Sequence, residues 1–562
     1  MIAAADSQSS RRMVTERFAA HIVVLLAVLA ASTGVLNGFA LDDVHLIVEN
    51  ARVHSITDAW RLFGQTYWPP EEGASLYRPL TMLAFTVQWS LGNGSPLPFH
   101  IVSIVLYAAG ALAFHRLLLA VVGSDIALLA AAIFAVHPLH VEAVANVVGQ
   151  AELWVALITF ASVSYYIRAR NAGSLRGRDI AVLALLYAAA CMFKEHAIIL
   201  PALFAIAELT VVRDRRAGWN RVRSSVPAVI VLAILAVAFV AARTAVVGEF
   251  QAAGSNELFR DQSFVTRLLT MLRIVIEWVR LFFWPAALSA DYSSRRTEIA
   301  TSFQLAMLPG ILVILGCGVI AHRLRRSAPE VTFGILWIAV TLAIPSNLLL
   351  VTGFVLAERT LFLASAGVAL CIAAGVVALW RIASERGEGR EKLVAVAVAL
   401  VLVAGIGRSM ARNPVWKDNG TLFTQTVIDV PSSSRAHWML AEHLAMNVGP
   451  RAGLDEMLLA VVLGRKNDPT LLGFAADQFS VAGLCPRAMG MYRSALALTP
   501  ENVQLRINTS LCLLRLGKLD EARTLAVTGM PKALDDTGLM RIVTIADSLV
   551  DIRRKRLASS AR

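Results

Sequence analysis

Two adjacent carboxylates, Asp42 and Asp43, follow the first long apolar run of the chain, and further ionisable residues recur where later apolar runs begin or end. These are Arg78; His100; His137, His140 and Glu142; Glu152; Lys194, Glu195 and His196; and Glu358 with Arg359. Ionisable groups at membrane depth are costly, so each needs a reason. An adjacent Asp pair at the mouth of a membrane cavity can supply a general base or hold a divalent metal. Arg78, Lys194 and Arg359 can bind a phosphate leaving group, arginine in a bidentate fork, and the histidines can donate hydrogen bonds to it. A base facing a phosphate clamp suits glycosyl transfer from a polyprenyl-phosphate sugar to a hydroxyl. The carboxylate takes the acceptor proton while the cations stabilise the departing phosphate.

Plainer readings stand beside these. Asp42-Asp43 can be a solvated pair ending a helix, and His137-Pro138 an interfacial turn. Glu142 with Lys194 can form a structural ion pair, and Glu358-Arg359 can snorkel at the interface. Trp60, Trp68, Trp89 and Tyr67 read as belt residues in preference to sugar-stacking platforms.

The elements that must position these residues are membrane spans. Of 562 residues 57% are hydrophobic and the mean hydropathy is +0.63, too apolar for a soluble enzyme of this size. A span needs about 20 mostly apolar residues, and such runs recur from Phe18 to Arg408 and then stop. The first run lacks a small-residue cleavage site, which argues against a removed signal peptide. The net charge of +12 does not indicate nucleic-acid binding, because the basic residues cluster between apolar runs. The clusters are Arg11, Arg12 and Arg17; Arg168 to Arg178; Arg213 to Arg223; Arg323 to Arg326; and Arg381 to Lys392. This is the positive-inside pattern of cytoplasmic loops. Threaded so, the chain is all-α with about eleven spans, and the helix Phe264–Trp284, interrupted by four charges, lies at the outer interface. The ionisable residues named above then share the outer face.

The expected organisation is a cytoplasmic N-terminus (1–18), a transmembrane domain (19–410) with a first extracytoplasmic loop (41–98), a linker (411–430), repeats (431–535), and a C-terminal helix with a basic tail (536–562). Gly449, Gly483 and Gly517 stand 34 apart, as do Ala441, Ala475 and Thr509, and Ala488 and Ala522. That period is the tetratricopeptide signature, an α-solenoid. The threading puts this tail outside the cytoplasm. Five cysteines without a CxxC exclude a metal knuckle; Cys485 and Cys512 can bridge if the tail is extracytoplasmic.

Six strings occur in order: Leu41-Asp42-Asp43, Leu76 to Thr81, Phe134 to Val144, Phe193-Lys194-Glu195, Gly353 to Arg359, and Arg412 to Trp416. With the 34-residue repeats they resemble the transmembrane and tetratricopeptide-repeat-containing O-mannosyltransferase family, of the C-type glycosyltransferase superfamily. The resemblance implies an inverting enzyme that moves a sugar, typically mannose, from a polyprenyl-phosphate carrier to protein Ser or Thr outside the cytoplasm. It implies Asp42 as base, Asp43 as an orienting partner, and His137, His140, Glu142, Lys194, Glu195, Glu358 and Arg359 as donor-site residues. The sequence departs at Gln150, where the family has Arg, and at Phe362 and Ala364, where Tyr and Pro are expected. The repeats offer a surface for an acceptor or a protein partner.

Two other classes fit an apolar chain of this kind: a transporter or flippase, and a non-catalytic scaffold. Clustering of charges at one face and no visible inverted repeat speak against the transporter. Scarce Lys and abundant Ala and Val point to a bacterial inner membrane in preference to the endoplasmic reticulum.

Overall fold

The computed structural model describes residues 18–73, 75–213, 218–248, 259, 262–293, 299–385, 389–464, 468–529 and 537–560. Arg11, Arg12, Arg17, Arg215, Arg216 and Arg386, and the expected boundary at 535, lie outside them. All regular structure among the described residues is helical. The chain divides into two units, one ending at Leu422 and one beginning at Phe423, with Ser293 assigned to the second.

Within the first unit, six described helices are long and apolar enough to cross a membrane: Leu97–Leu118, Val147–Ala172, Arg223–Val247, Leu305–Leu324, Glu358–Glu385 and Arg390–Trp416. A seventh arises if Ser124–Val136 and Pro138–Ala145, bent by 51°, count as one broken span. Phe18–Gly34 and Pro329–Thr341 are shorter apolar helices. The count of about eleven is therefore not reproduced by helix length and composition. The expected span 331–350, for one, ends as a helix at Thr341 and continues as turns, whereas the short one expected over 180–193 closes at Phe193 as a helix of 17 residues. The chain is a multi-pass membrane protein by these helices.

Close backbone approach sets the packing. A Cβ on Gly367 would lie 2.5 Å from the carbonyl oxygen of Gly334, and one on Gly310 would lie 2.0 Å from that of Leu272. Small residues at such crossings let helices pack without side-chain spacers. Leu97–Leu118 packs on Gln150–Ala172, and Phe362–Glu385 on both Pro329–Thr341 and Ser124–Val136. The centre is a cluster around Phe134, Phe160, Phe114 and Trp337.

The ionisable motifs sit where helices are interrupted. Pro138 cannot continue the helix before it, so His137 is extended (φ −70°, ψ 121°). A short helix resumes at Val141. Gly149 then lies against the Ala143 carbonyl, which a Cβ would meet at 2.5 Å. Lys194 is extended between Gly177–Phe193 and the turn Glu195–Ile199, and Ala357 is extended before Glu358–Leu361. Leu41 and Leu76, just before Asp42 and Tyr77-Arg78, both adopt positive φ (56° and 63°). Arginines mark the opposite helix ends: Arg168 and Arg170 close the helix that Glu152 opens, and Arg381 closes the one that Glu358 opens.

The second unit contains Ser434–Asn447, Leu454–Leu463, Pro469–Val481, Cys485–Leu498, Val503–Arg515, Leu519–Gly529 and Thr537–Ser560. Gly449, Gly483 and Gly517, all at positive φ, follow the first, third and fifth of these. Asp468 and Asn502, also 34 apart, accept from backbone amides at helix starts. Ala441, Ala475, Ala488 and Ala522 are fully buried. Cys485 and Cys512 form a disulfide between neighbouring helices, with Cα atoms 5.5 Å apart.

Candidate functional site

Asp42 and Asp43 are adjacent in sequence but turned to different partners. Asp43 is fully buried; its oxygens accept from the amides of Val148 (2.8 Å), Val147 (3.2 Å) and Ala40 (3.3 Å). It braces the turn that follows Glu142. Burial raises its pKa to about 7 against the pull of those amides, and Asp42 adds to the rise. Asp42 keeps 21% of its side chain exposed and accepts from Arg359 Nη2 at 3.2 Å.

Arg359 is the hub. Its Nε lies 3.5 Å from Glu142 Oε1, its backbone amide donates to Glu142 Oε2 at 2.9 Å, and its guanidinium covers the Phe354 ring at 4.9 Å. Its Nη1 is buried with no hydrogen-bond partner among the described residues. The plainer reading of Arg359, snorkelling at the interface, gives way to burial between two carboxylates.

Two further pairs adjoin it. Lys194 Nζ pairs with Glu152 Oε1, and His196 Nε2 lies 3.4 Å from Glu152 Oε2. The Glu142–Lys194 pair anticipated from sequence is re-partnered: Glu142 goes to Arg359, Lys194 to Glu152. Arg78 Nε donates to Glu195 Oε2 at 2.9 Å, and the Tyr77 amide donates to the other oxygen. Burial pushes the Lys194 ammonium below its ordinary pKa despite Glu152, with Arg78 and Arg359 adding to the fall. Burial holds His196 near 4 against the attraction of Glu152. Burial alone would raise Glu195, but Arg78 brings it below the usual range.

Tyr67, expected in an aromatic belt, is instead buried beneath Arg78, whose guanidinium lies 4.8 Å from its ring centre. Its hydroxyl has no hydrogen-bond partner among the described residues and feels the charges of Arg78, Asp42, Arg359 and Asp43. Lys194 in turn feels Glu152, Arg78 and Arg359. Asp42, Glu142, Arg359, Glu152, Lys194, His196, Arg78, Glu195 and Tyr67 therefore form one electrostatic constellation.

The remaining expected residues do other work. His100 Nε2 bonds the Gly38 carbonyl at 2.9 Å. His137 bonds the Phe282 carbonyl and the Leu139 amide, and His140 lies between Tyr107 and Ser365. These histidines join helices, and none has a charge of the constellation as a hydrogen-bond partner. Glu358 accepts from Tyr292 Oη (2.5 Å) and the Ser289 amide (2.7 Å), which ties in the stretch after Phe264–Phe283. Gln150 exchanges amide bonds with Gln88 and donates to the Phe99 carbonyl. It is a buried lock between helices. Phe362 packs on His140 with ring centres 4.5 Å apart, and Ala364 is fully buried.

A metal does not fit this donor set. Asp43 is taken up by three amides and Asp42 by a guanidinium. No group of three or more His, Cys, Asp or Glu among the described residues could hold an ion.

No family model matches the chain. It is 26% identical over 459 residues to the mouse protein O-mannosyl-transferase TMTC3, covering 76% of this chain and 49% of that protein. It is 33% identical over 314 residues to the Drosophila melanogaster protein O-mannosyl-transferase Tmtc2, covering 52% and 33%. To the Caenorhabditis elegans protein O-mannosyl-transferase F38B6.6 it is 24% identical over 444 residues, covering 76% and 60%. The chain is a homologue of the TMTC protein O-mannosyl-transferases. It spans about half the length of the curated relatives it matches. These TMTC relatives are animal proteins, and the bacterial source inferred from composition is not borne out. Among solved structures, the Archaeoglobus fulgidus oligosaccharyltransferase tethered with an acceptor peptide aligns with a TM-score of 0.41 at 14% identity, over 70% of this chain and 55% of that one.

Proposed function

We propose that the chain is a membrane glycosyltransferase moving a sugar from a polyprenyl-phosphate carrier to a hydroxyl, that of protein Ser or Thr, on the extracytoplasmic face. The observation that carries this reading is Asp42 paired with Arg359 inside a cluster of charges in which two buried donors, Arg359 Nη1 and Tyr67 Oη, each lack a partner among the described residues. A buried polar group left unpaired is costly. Phosphate and sugar oxygens are acceptors of the kind such donors lack.

In the reaction, Asp42 takes the proton of the acceptor hydroxyl as its oxygen attacks the anomeric carbon. The bond from that carbon to the phosphate oxygen breaks on the opposite face, which inverts the configuration. The electron pair leaves with the polyprenyl phosphate, whose charge Arg359, Lys194 and Arg78 stabilise. Asp43, Glu142, Glu152 and Glu195 hold the backbone and the cations in place. Mannose as the sugar rests on the names of the relatives.

The 34-residue spacing of glycines at helix ends supports a tetratricopeptide-type tail, able to hold an acceptor protein or another partner. The Cys485–Cys512 disulfide supports an oxidising, extracytoplasmic compartment for it, as do the arginines at the far ends of the site helices.

The test is to reconstitute the purified protein with a polyprenyl-phosphate mannose and a Ser/Thr-containing peptide. A peptide mass gain of one hexose is expected. Failure to transfer sugar from any of a panel of polyprenyl-phosphate sugars would contradict the reading.

A further inference from the structure

Asp42 is presented by a strained residue. Leu41, immediately before it, adopts φ 56°, a region that a branched side chain disfavours. Something must over-determine that conformation, and the contacts come from the opposite end of the first unit. The Leu41 amide donates to Asn419 Oδ1 at 2.6 Å, across 378 residues. Just upstream, the Gly38 amide donates to the Lys417 carbonyl at 2.8 Å. There the chains lie so close that a Cβ on Gly38 would come within 2.9 Å of that oxygen. Asn37 Nδ2 donates to the Asn413 carbonyl (2.8 Å), Asn413 Nδ2 to the Ala30 carbonyl (2.9 Å), and Thr33 Oγ1 to the Met410 carbonyl (2.7 Å).

The stretch 410–419 is itself fixed. Pro414 opens the turn Asn413–Trp416, Trp416 is buried, and Asp418 accepts from the Thr421 amide at 2.8 Å. It therefore runs as a strap along residues 30–41, and its last contact falls one residue before the carboxylate that Arg359 holds.

We propose that Asn419 is a positioning residue for Asp42. By accepting the Leu41 amide it holds the left-handed turn that aims Asp42 at Arg359 and the acceptor. Asn419 touches no substrate; it acts through the backbone at 41. The inference rests on the glycosyltransferase reading with Asp42 as base.

The test compares sugar transfer by full-length Asn419→Ala, Asn419→Asp and the double variant Leu41→Gly/Asn419→Ala, with Asp42→Asn alongside. Misplacing a base by about 1 Å can cost about a hundredfold in rate. Asn419→Ala is expected to lower kcat by roughly ten- to a hundredfold with the KM for donor unchanged. Asn419→Asp keeps the acceptor oxygen and should retain activity, with the acid limb of the pH–rate profile moved upward by the added charge near Asp42. Glycine at 41 adopts positive φ without strain, so the double variant should recover most of the lost kcat. Full kcat in Asn419→Ala, or no recovery in a double variant that is as well folded as wild type, would overturn the positioning role. Activity surviving Asp42→Asn would instead remove the functional reading itself.

Discussion

Arg359 Nη2 lies 3.2 Å from Asp42 Oδ2, whereas Asp43, one residue on, holds the amides of Val147 and Val148. Two carboxylates that look equivalent in sequence are thus held by different partners, and in the proposed reaction Asp42 serves chemistry while Asp43 serves architecture. Asp43→Asn should lower stability by about 1–3 kcal/mol, because one acceptor oxygen facing buried amides is lost. Asp42→Asn, whose side chain is partly exposed and whose amide oxygen can still accept from Arg359, should cost less than Asp43→Asn. Thermal unfolding in detergent checks both; equal destabilisation by the two changes would refute the division.

The pH dependence of stability follows from Asp43. Its folded pKa is raised from 3.8 to about 7, so between these values the folded state binds the extra proton. Its contribution is complete below the unfolded pKa and is lost as pH rises through 7, with a slope of at most about 1.4 kcal/mol per pH unit. His196, depressed from 6.5 to about 4, works in the opposite sense between those two values. The melting temperature of wild type minus that of Asp43→Asn should therefore fall as pH is raised from 4 to 7. A difference independent of pH would count against the buried, protonatable carboxyl.

Arg359→Lys is not conservative here. The guanidinium reaches Asp42 with one nitrogen and Glu142 with another, and an ammonium cannot span both with the same planar fork. Transfer should fall by roughly tenfold or more with the donor KM raised. Wild-type kinetics for Arg359→Lys would show that a point charge suffices.

Gly367 faces Gly334 across a helix crossing where a Cβ would meet the backbone at 2.5 Å. Gly367→Ala should cost about 1–3 kcal/mol through overpacking. Gly375, on the same helix with open space around it, is the control at which alanine is tolerated. Heat-induced aggregation of the two variants should differ; equal behaviour would deny the close approach.

The apolar runs, the helix breaks and the 34-residue spacing were legible in the sequence, because each is a local property of composition and period. The pairings were not. Arg359 meets Asp42 across 317 residues and Glu142 across 217, and nothing in either neighbourhood says which carboxylate it takes. His137 and His140 carry chemistry-bearing side chains, yet their nitrogens serve carbonyl, hydroxyl and amide partners inside the bundle. Tyr67 read as a belt residue because its neighbours are Trp68 and Trp60; only the fold puts it beneath Arg78. Asn419 gave no signal at all, since its role depends on the backbone angle of a leucine far upstream. The span count falls short where polar or proline breaks cut apolar runs into pieces too short to cross, as at His137-Pro138 and after Thr341.

The rate of sugar transfer by Asp42→Asn, set against Asp43→Asn at equal folded fraction, tests the central claim most directly. A general base contributes about 10²–10⁴-fold, so Asp42→Asn should lose at least about a hundredfold in kcat while Asp43→Asn, where folded, keeps measurable turnover. Unchanged transfer by Asp42→Asn would contradict the account.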